Sequence, residues 1–106
     1  MIGRLGVLLV PVLLVASCVQ AQDTRTRAEQ GAAVFRQQGC YGCHTVGVTG
    51  TPIATNLTHI GSKHDQEYFT RWLRDPSMQR PTAHMPKIDL SESEIRDLAA
   101  YLGSLR

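Results

Sequence analysis

Residues Cys40 to His44 read CYGCH, and this pentapeptide limits what the chain can fold into more than any other stretch. C-x-x-C-H is the attachment signature of c-type haem. Two thiols three residues apart lie on one side of a helical turn. Both can then form thioethers with the two vinyl groups of one porphyrin. The next residue, His44, turns its imidazole toward the iron as proximal ligand. C-x-x-C by itself also occurs in redox dithiols and as half of a zinc site. A four-ligand zinc site needs a tidy second pair, which His59, His64 and His84 do not offer. A redox dithiol belongs on a βαβ pattern, and the sequence has none. The motif therefore implies one haem c, held covalently through Cys40 and Cys43.

The segments around the motif read as helices and long loops. In AEQGAAVFRQQGC, Ala28, Gly31, Ala32 and Phe35 recur at three- and four-residue steps. Gly39 can stop that helix just before Cys40. Residues 45–61 are rich in Gly and Thr and have no sustained period, which is loop composition. In KHDQEYFTRWLRDP, Tyr68, Phe69, Trp72 and Leu73 make one apolar face. Asp65 is its expected N-cap and Pro76 its end. Arg74 and Asp75 can pair at that end. Pro76, Pro81 and Pro86 hold the following loop extended. The last helix opens with a capping box, Ser91 and Glu94, and its buried stripe is Ile95, Leu98, Ala99, Leu102 and Leu105. No strand pattern shows. The expected class is all-α, three main helices with long loops wrapped around a large internal object.

The first residues read differently. Leu5 to Ala16 is an apolar run after a weakly positive start, too short for the roughly 20 residues of a membrane span. This reads as an export signal. The VASC stretch ending at Cys18 looks like a bacterial lipobox, which makes residues 1–17 the signal and Cys18 a lipidated first residue. VQA, ending at Ala21, is the alternative cleavage site, before Gln22. Residues 18–27 are then a flexible tether, and 28–106 the domain. A lipidated Cys18 would tether the protein to a membrane without a spanning helix. The expected location is the periplasm or cell envelope. About 85 residues remain after export, a size at which a hydrophobic core alone is marginal, and covalent haem supplies the missing staple. The formal charge of +2 makes no case for nucleic acid. Lys63 to Lys87 is nonetheless basic, and Asp89 to Arg106 acidic.

The stretches GAAVFRQQGCYGCH, NLTHIGS, WLRDP, HMP and LSESEIRDLAAYL carry a resemblance. The chain resembles class I cytochromes c from Ala28 to Leu105. It looks most similar to bacterial monohaem forms, such as the cytochrome c domain fused to subunit II of some haem-copper oxidases. The resemblance implies that the first and last helices cross where Gly31 and Phe35 meet Leu98 and Tyr101. It also implies a second axial ligand from a methionine, often followed by proline, in the loop before the last helix. Met85-Pro86 matches that pattern. His84 and Met78 are the local rivals. His84 adjoins Met85, and adjacent extended residues point in opposite directions, so it should face solvent or a propionate. Met78 lacks the proline. His59 and His64 read as surface or propionate-side groups, and Trp72 as either a propionate partner or core. One departure concerns the backbone carbonyl that accepts a hydrogen bond from the proximal histidine. The family usually supplies it from a Gly-Pro. Here Ala54-Thr55 stands at that place and Pro52 lies three residues early, so either Pro52 or Thr55 can serve.

The function expected is electron transfer through a six-coordinate His44/Met85 haem, with transient redox partners docking near the haem edge. No catalytic residue, nucleophile or small-molecule substrate site announces itself. The competing expectation is an open-site haem, a peroxidase or gas sensor, in which Met85 is labile or does not bind.

Overall fold

The computed structural model describes residues 3–6 and 13–106, with side chains described at 3–6 and from residue 25 onward. The export-signal reading of 1–17 falls largely outside the described residues, as does the side chain of Cys18. Among the described residues, no helix is long and apolar enough to cross a membrane.

Helix α1 runs Leu13–Gln37, well before the Ala28 start that the periodicity suggests. Residues 18–27, expected to be a flexible tether, are helical. The reason is local. No Gly or Pro interrupts residues 13–30, and Ala, Gln, Glu and Arg propagate a helix at little cost once it is nucleated. The helix ends as anticipated, with Gly39 in the left-handed region at φ +74°. Helix α2, Gln66–Arg74, starts where Asp65 Oδ1 accepts the Tyr68 N–H at 2.8 Å. It buries Phe69 and Leu73. The proline that ends α2 does not lead straight into an extended loop. A one-turn helix α3, Pro76–Gln79, begins there, with Asp75 accepting from the Ser77 N–H at 3.1 Å and from its hydroxyl at 2.7 Å. Asp followed by Pro is a helix start, because proline at the first position loses no hydrogen bond. The expected Arg74–Asp75 pair is thereby replaced. Arg74 instead forms a two-point ion pair with Glu92, at 2.8 and 3.3 Å.

Helix α4 is Glu92–Ser104. Its capping box is complete: Ser91 Oγ accepts the Glu94 N–H at 3.1 Å, and Glu94 Oε1 accepts the Ser91 N–H at 3.0 Å. These bonds hold the Glu94 carboxyl below its ordinary pKa. A lowered folded-state pKa gives stability that is present above the unfolded value and lost as pH falls through the folded one. Glu94→Gln should therefore melt below the unmutated protein at pH 7. Thermal scans should show that difference close as pH drops below about 4, where both side chains are neutral.

The core lies where α1 and α2 pack on α4. Gly31 is required at the α1–α4 crossing. A Cβ there would collide with the Asp97 carbonyl oxygen and lie 2.7 Å from Tyr101 Cβ. Beside it Phe35, 2% exposed, meets Tyr101 edge-on at 5.5 Å and Tyr41 at 4.7 Å. Such pairs add about 0.5–1.5 kcal/mol beyond burial. Burial and a hydrogen bond with Tyr41 push the Tyr101 hydroxyl up to about 12. Of the anticipated α4 stripe, Ile95, Leu98, Ala99 and Leu102 are buried; Leu105 caps the helix and is half-buried. A two-stranded antiparallel ladder has no signal in the sequence. It joins β1, Thr45–Val46, to β2, Thr49–Gly50, around a two-residue turn whose first residue, Gly47, has φ +60°. Strands of two residues are too short to show alternation.

Candidate haem site

Cys40 to Gly42 winds into a 3₁₀ turn. The Cys40 carbonyl accepts from the Cys43 N–H at 3.2 Å and from the His44 N–H at 3.0 Å. This is the helical turn that brings the two thiols to one side. Cys40, Cys43 and His44 all line a cleft of about 980 Å³, and so does Met85. Volumes near 1,000 Å³ suit a large cofactor. The walls include Phe35, Leu57, Ile60, Phe69, Leu98 and Leu102, so the core of the domain and the lining of the cleft are largely the same residues. Cys40 is half-buried, and burial raises its thiol pKa; Cys43 is exposed.

His44 is oriented by a backbone bond. Its Nδ1–H donates to the Thr55 carbonyl at 2.7 Å. A carbonyl can only accept, so Nδ1 carries the proton and the Nε2 lone pair is left for a metal. Such a partner fixes the tautomer and ring orientation and raises ligand basicity. Of the two carbonyls open in the sequence, Pro52 and Thr55, the bond is made by Thr55. Two neighbours pin that carbonyl. Ala54 N–H donates to Cys43 O at 2.7 Å, and Leu57 N–H to Thr45 O at 2.8 Å. Farther along, Gly47 N–H donates to Thr58 Oγ1 at 2.8 Å, and that hydroxyl to Asn56 Oδ1 at 2.6 Å. Gly50 completes the support from the other side. Its φ of +108° is closed to most side chains, and a Cβ there would strike the His44 carbonyl oxygen.

Because the bond uses main chain, Thr55→Ala should leave the absorption spectrum and the redox midpoint of the haem protein unchanged. A spectral change in that variant would mean that the side chain, and not the carbonyl, holds His44.

The Met85 side is also fixed by a contact. Met85 is half-buried, and its Sδ accepts the Trp72 Nε1–H at 3.1 Å. This bond is neither of the two roles anticipated for Trp72. It spans 13 residues and no spacing rule reaches it. His84 lines the cleft but is exposed, and Met78 is 77% exposed and lies outside the lining. His59 is exposed. His64 lines the cleft and stacks on Tyr68 at 3.7 Å. Among the described residues, no three His, Cys, Asp or Glu side chains gather to hold a metal ion. The donor set that is present suits haem: two thiols in register, one oriented imidazole, one thioether and apolar walls.

A helical domain wrapped around such a cleft, with C-x-x-C-H on its rim, is that of a c-type haem protein. The family model for cytochrome c matches residues 28–106. Two similar curated proteins are both cytochrome c oxidase subunit 2. That of Alkalihalophilus pseudofirmus is 36% identical over 94 residues, covering 80% of this chain and 28% of the relative. That of Bacillus sp. (strain PS3) is 33% identical over 98 residues, covering 74% of this chain and 26% of the relative. The chain thus spans little more than a quarter of the length of these relatives. No solved structure gives a significant match. The chain belongs to the cytochrome c family, with one haem c attached covalently through Cys40 and Cys43 and electron transfer as its chemistry.

Proposed function

We propose that the chain is a one-electron carrier whose haem iron is held between His44 and Met85. The observation that carries this reading is the shared cleft: it is lined by both side chains, with His44 Nδ1 committed to Thr55 and Nε2 left for the iron. Haem bound there supplies a reversible ferric/ferrous couple. The protein residues set its bias. A thioether is a soft, neutral donor that favours ferrous iron, and Met/His ligation raises the potential. Phe35, Leu57, Ile60 and Leu98 keep water from the buried side of the ring.

The carrier delivers electrons to, or belongs to, a respiratory or dehydrogenase complex. The relatives' printed name, cytochrome c oxidase subunit 2, supports an oxidase as that partner. The chain is exported to the periplasm or cell envelope as a domain of residues 28–106 behind a signal at 1–17. Cys18 carries a lipid anchor, which keeps the carrier near a membrane. Partners dock transiently at the haem edge, and the chain has no catalytic residues of its own.

An anaerobic redox titration with carbon monoxide tests the carrier. The proposal requires a single one-electron step and a ferrous spectrum unmoved by carbon monoxide. Carbon monoxide binding at rest would favour the open-site reading instead. Mass spectrometry of the mature N-terminus separates a lipidated Cys18 from a start at Gln22.

A further inference from the structure

We propose that Arg74 and Glu92 are positioning residues for Met85: their ion pair fastens the base of the loop that carries the thioether, and so sets how readily that loop opens the iron to an outside ligand. The inference rests on the His44/Met85 reading and deepens it. Arg74 is the last residue of α2 and Glu92 the first of α4. Their side chains meet at two points, Nη2 to Oε2 at 2.8 Å and Nε to Oε1 at 3.3 Å. The chain between them, residues 75–91, is the segment that holds Met85, so the pair joins its two ends. Above that base the segment is held thinly. Between Pro81 and Leu90 the main chain makes, among the described residues, one backbone–backbone hydrogen bond, the local turn from Ala83 N–H to Arg80 O at 2.9 Å. Met85 and Leu90 pack on the core while only partly buried. Arg74 and Glu92 line a groove of about 340 Å³ with Leu73, Ile88 and Ile95. Apolar packing therefore leaves a gap at the point that the ion pair spans.

The physical argument is one of closure. A six-coordinate haem gives up its thioether when the loop carrying Met85 swings away. That open state is favoured by the conformational entropy the loop regains. A loop whose ends are pinned regains less of it, so the pair disfavours opening. A guanidinium meeting a carboxylate at two points fixes direction as well as distance. The surrounding charges agree with it. Arg96 adds a second positive charge near Glu92, and Lys87 faces Asp75 across the same base. The Arg74 and Glu92 side chains are 54% and 66% exposed, so salt reaches the pair and weakens it. Exposed pairs are worth little in general, and two-point geometry is the favourable case. The expected effect is therefore a few-fold change in how often the iron is open.

The test uses the haem-loaded full chain in the ferric state, with imidazole as the outside ligand at about pH 8, where that ring is largely neutral. Imidazole has to displace Met85, so its apparent affinity reads the opening of the loop. Arg74→Gln and Glu92→Gln should each bind imidazole about two- to five-fold more tightly at low salt. The double variant should match the single ones, and about 1 M salt should bring the unmutated protein close to all of them. Equal affinities throughout, or effects that add in the double variant, would overturn the role of the pair and leave the axial assignment standing. A lowered melting temperature with imidazole affinity unmoved would do the same, because the pair would then only dock α2 on α4. No far-red iron–thioether band in the unmutated ferric protein would remove the axial assignment, and this inference with it. If the variants do not load haem, the unmutated protein still decides the matter. Its imidazole affinity should rise with salt, and a flat salt dependence would overturn the proposal.

Discussion

Met85→Ala is expected to abolish the far-red iron–thioether band, lower the reduction potential by on the order of 100 mV, and open the ferrous protein to carbon monoxide. Axial ligands move haem potentials over about 0.8 V, so a shift of this size from losing one is modest. Its sign follows from the loss of a soft donor that favours ferrous iron. Packing makes the smaller contribution. Removing a buried Met side chain costs ~2–5 kcal/mol, and Met85 is only half-buried, which puts its share at or below the lower end. The variant should therefore stay folded and loaded while its spectrum and potential change. Absorption and a redox titration check both. A variant with an unmoved potential would mean that Met85 is a packing residue of the loop.

Cys40→Ala combined with Cys43→Ala should have a still broader effect, because it removes the haem from the fold and not merely a ligand from the haem. Phe35, Ile60, Phe69, Leu73, Leu98 and Leu102 belong at once to the core and to the cleft wall. Without haem, the contacts that each would make across the cleft are lost. Burying such a side chain contributes about 1.5–3 kcal/mol, and several partial losses exceed the margin of a domain this small. The double variant should lose its cooperative thermal transition and the near-ultraviolet circular dichroism of Trp72. Part of its far-ultraviolet helix signal should remain, since the capping box of α4 and the cap of α2 are local. A cooperative transition in the double variant would show that the protein core is sufficient alone.

What the sequence discloses and what it conceals divide along range. Gly39, Asp65 and the Ser91–Glu94 box act within four residues, and each appears in the structure as its local pattern implies. The haem attachment is legible for the same reason: its two thiols and the adjacent imidazole lie in one pentapeptide. The start of α1 is hidden because helix propensity continues upstream of the amphipathic face, and periodicity reports only the face. Helix α3 is hidden because a proline marks a helix end as readily as a start, and here Asp75 makes Pro76 a beginning. Arg74–Glu92 spans 18 residues, and its formation depends on how α2 docks beside the start of α4. The Thr55 bond lies between these cases. A backbone carbonyl carries no residue identity, so the sequence can locate the segment but not the oxygen. Trp72 to Met85 is the most concealed contact and the one closest to the chemistry.

The central claim is that Met85 binds the iron from the face opposite His44. The far-red absorption of the oxidised, unmutated protein tests it most directly. A weak iron–thioether band is the result predicted. A five-coordinate, high-spin spectrum without that band would contradict the account, and would make this an open-site haem protein instead of a carrier.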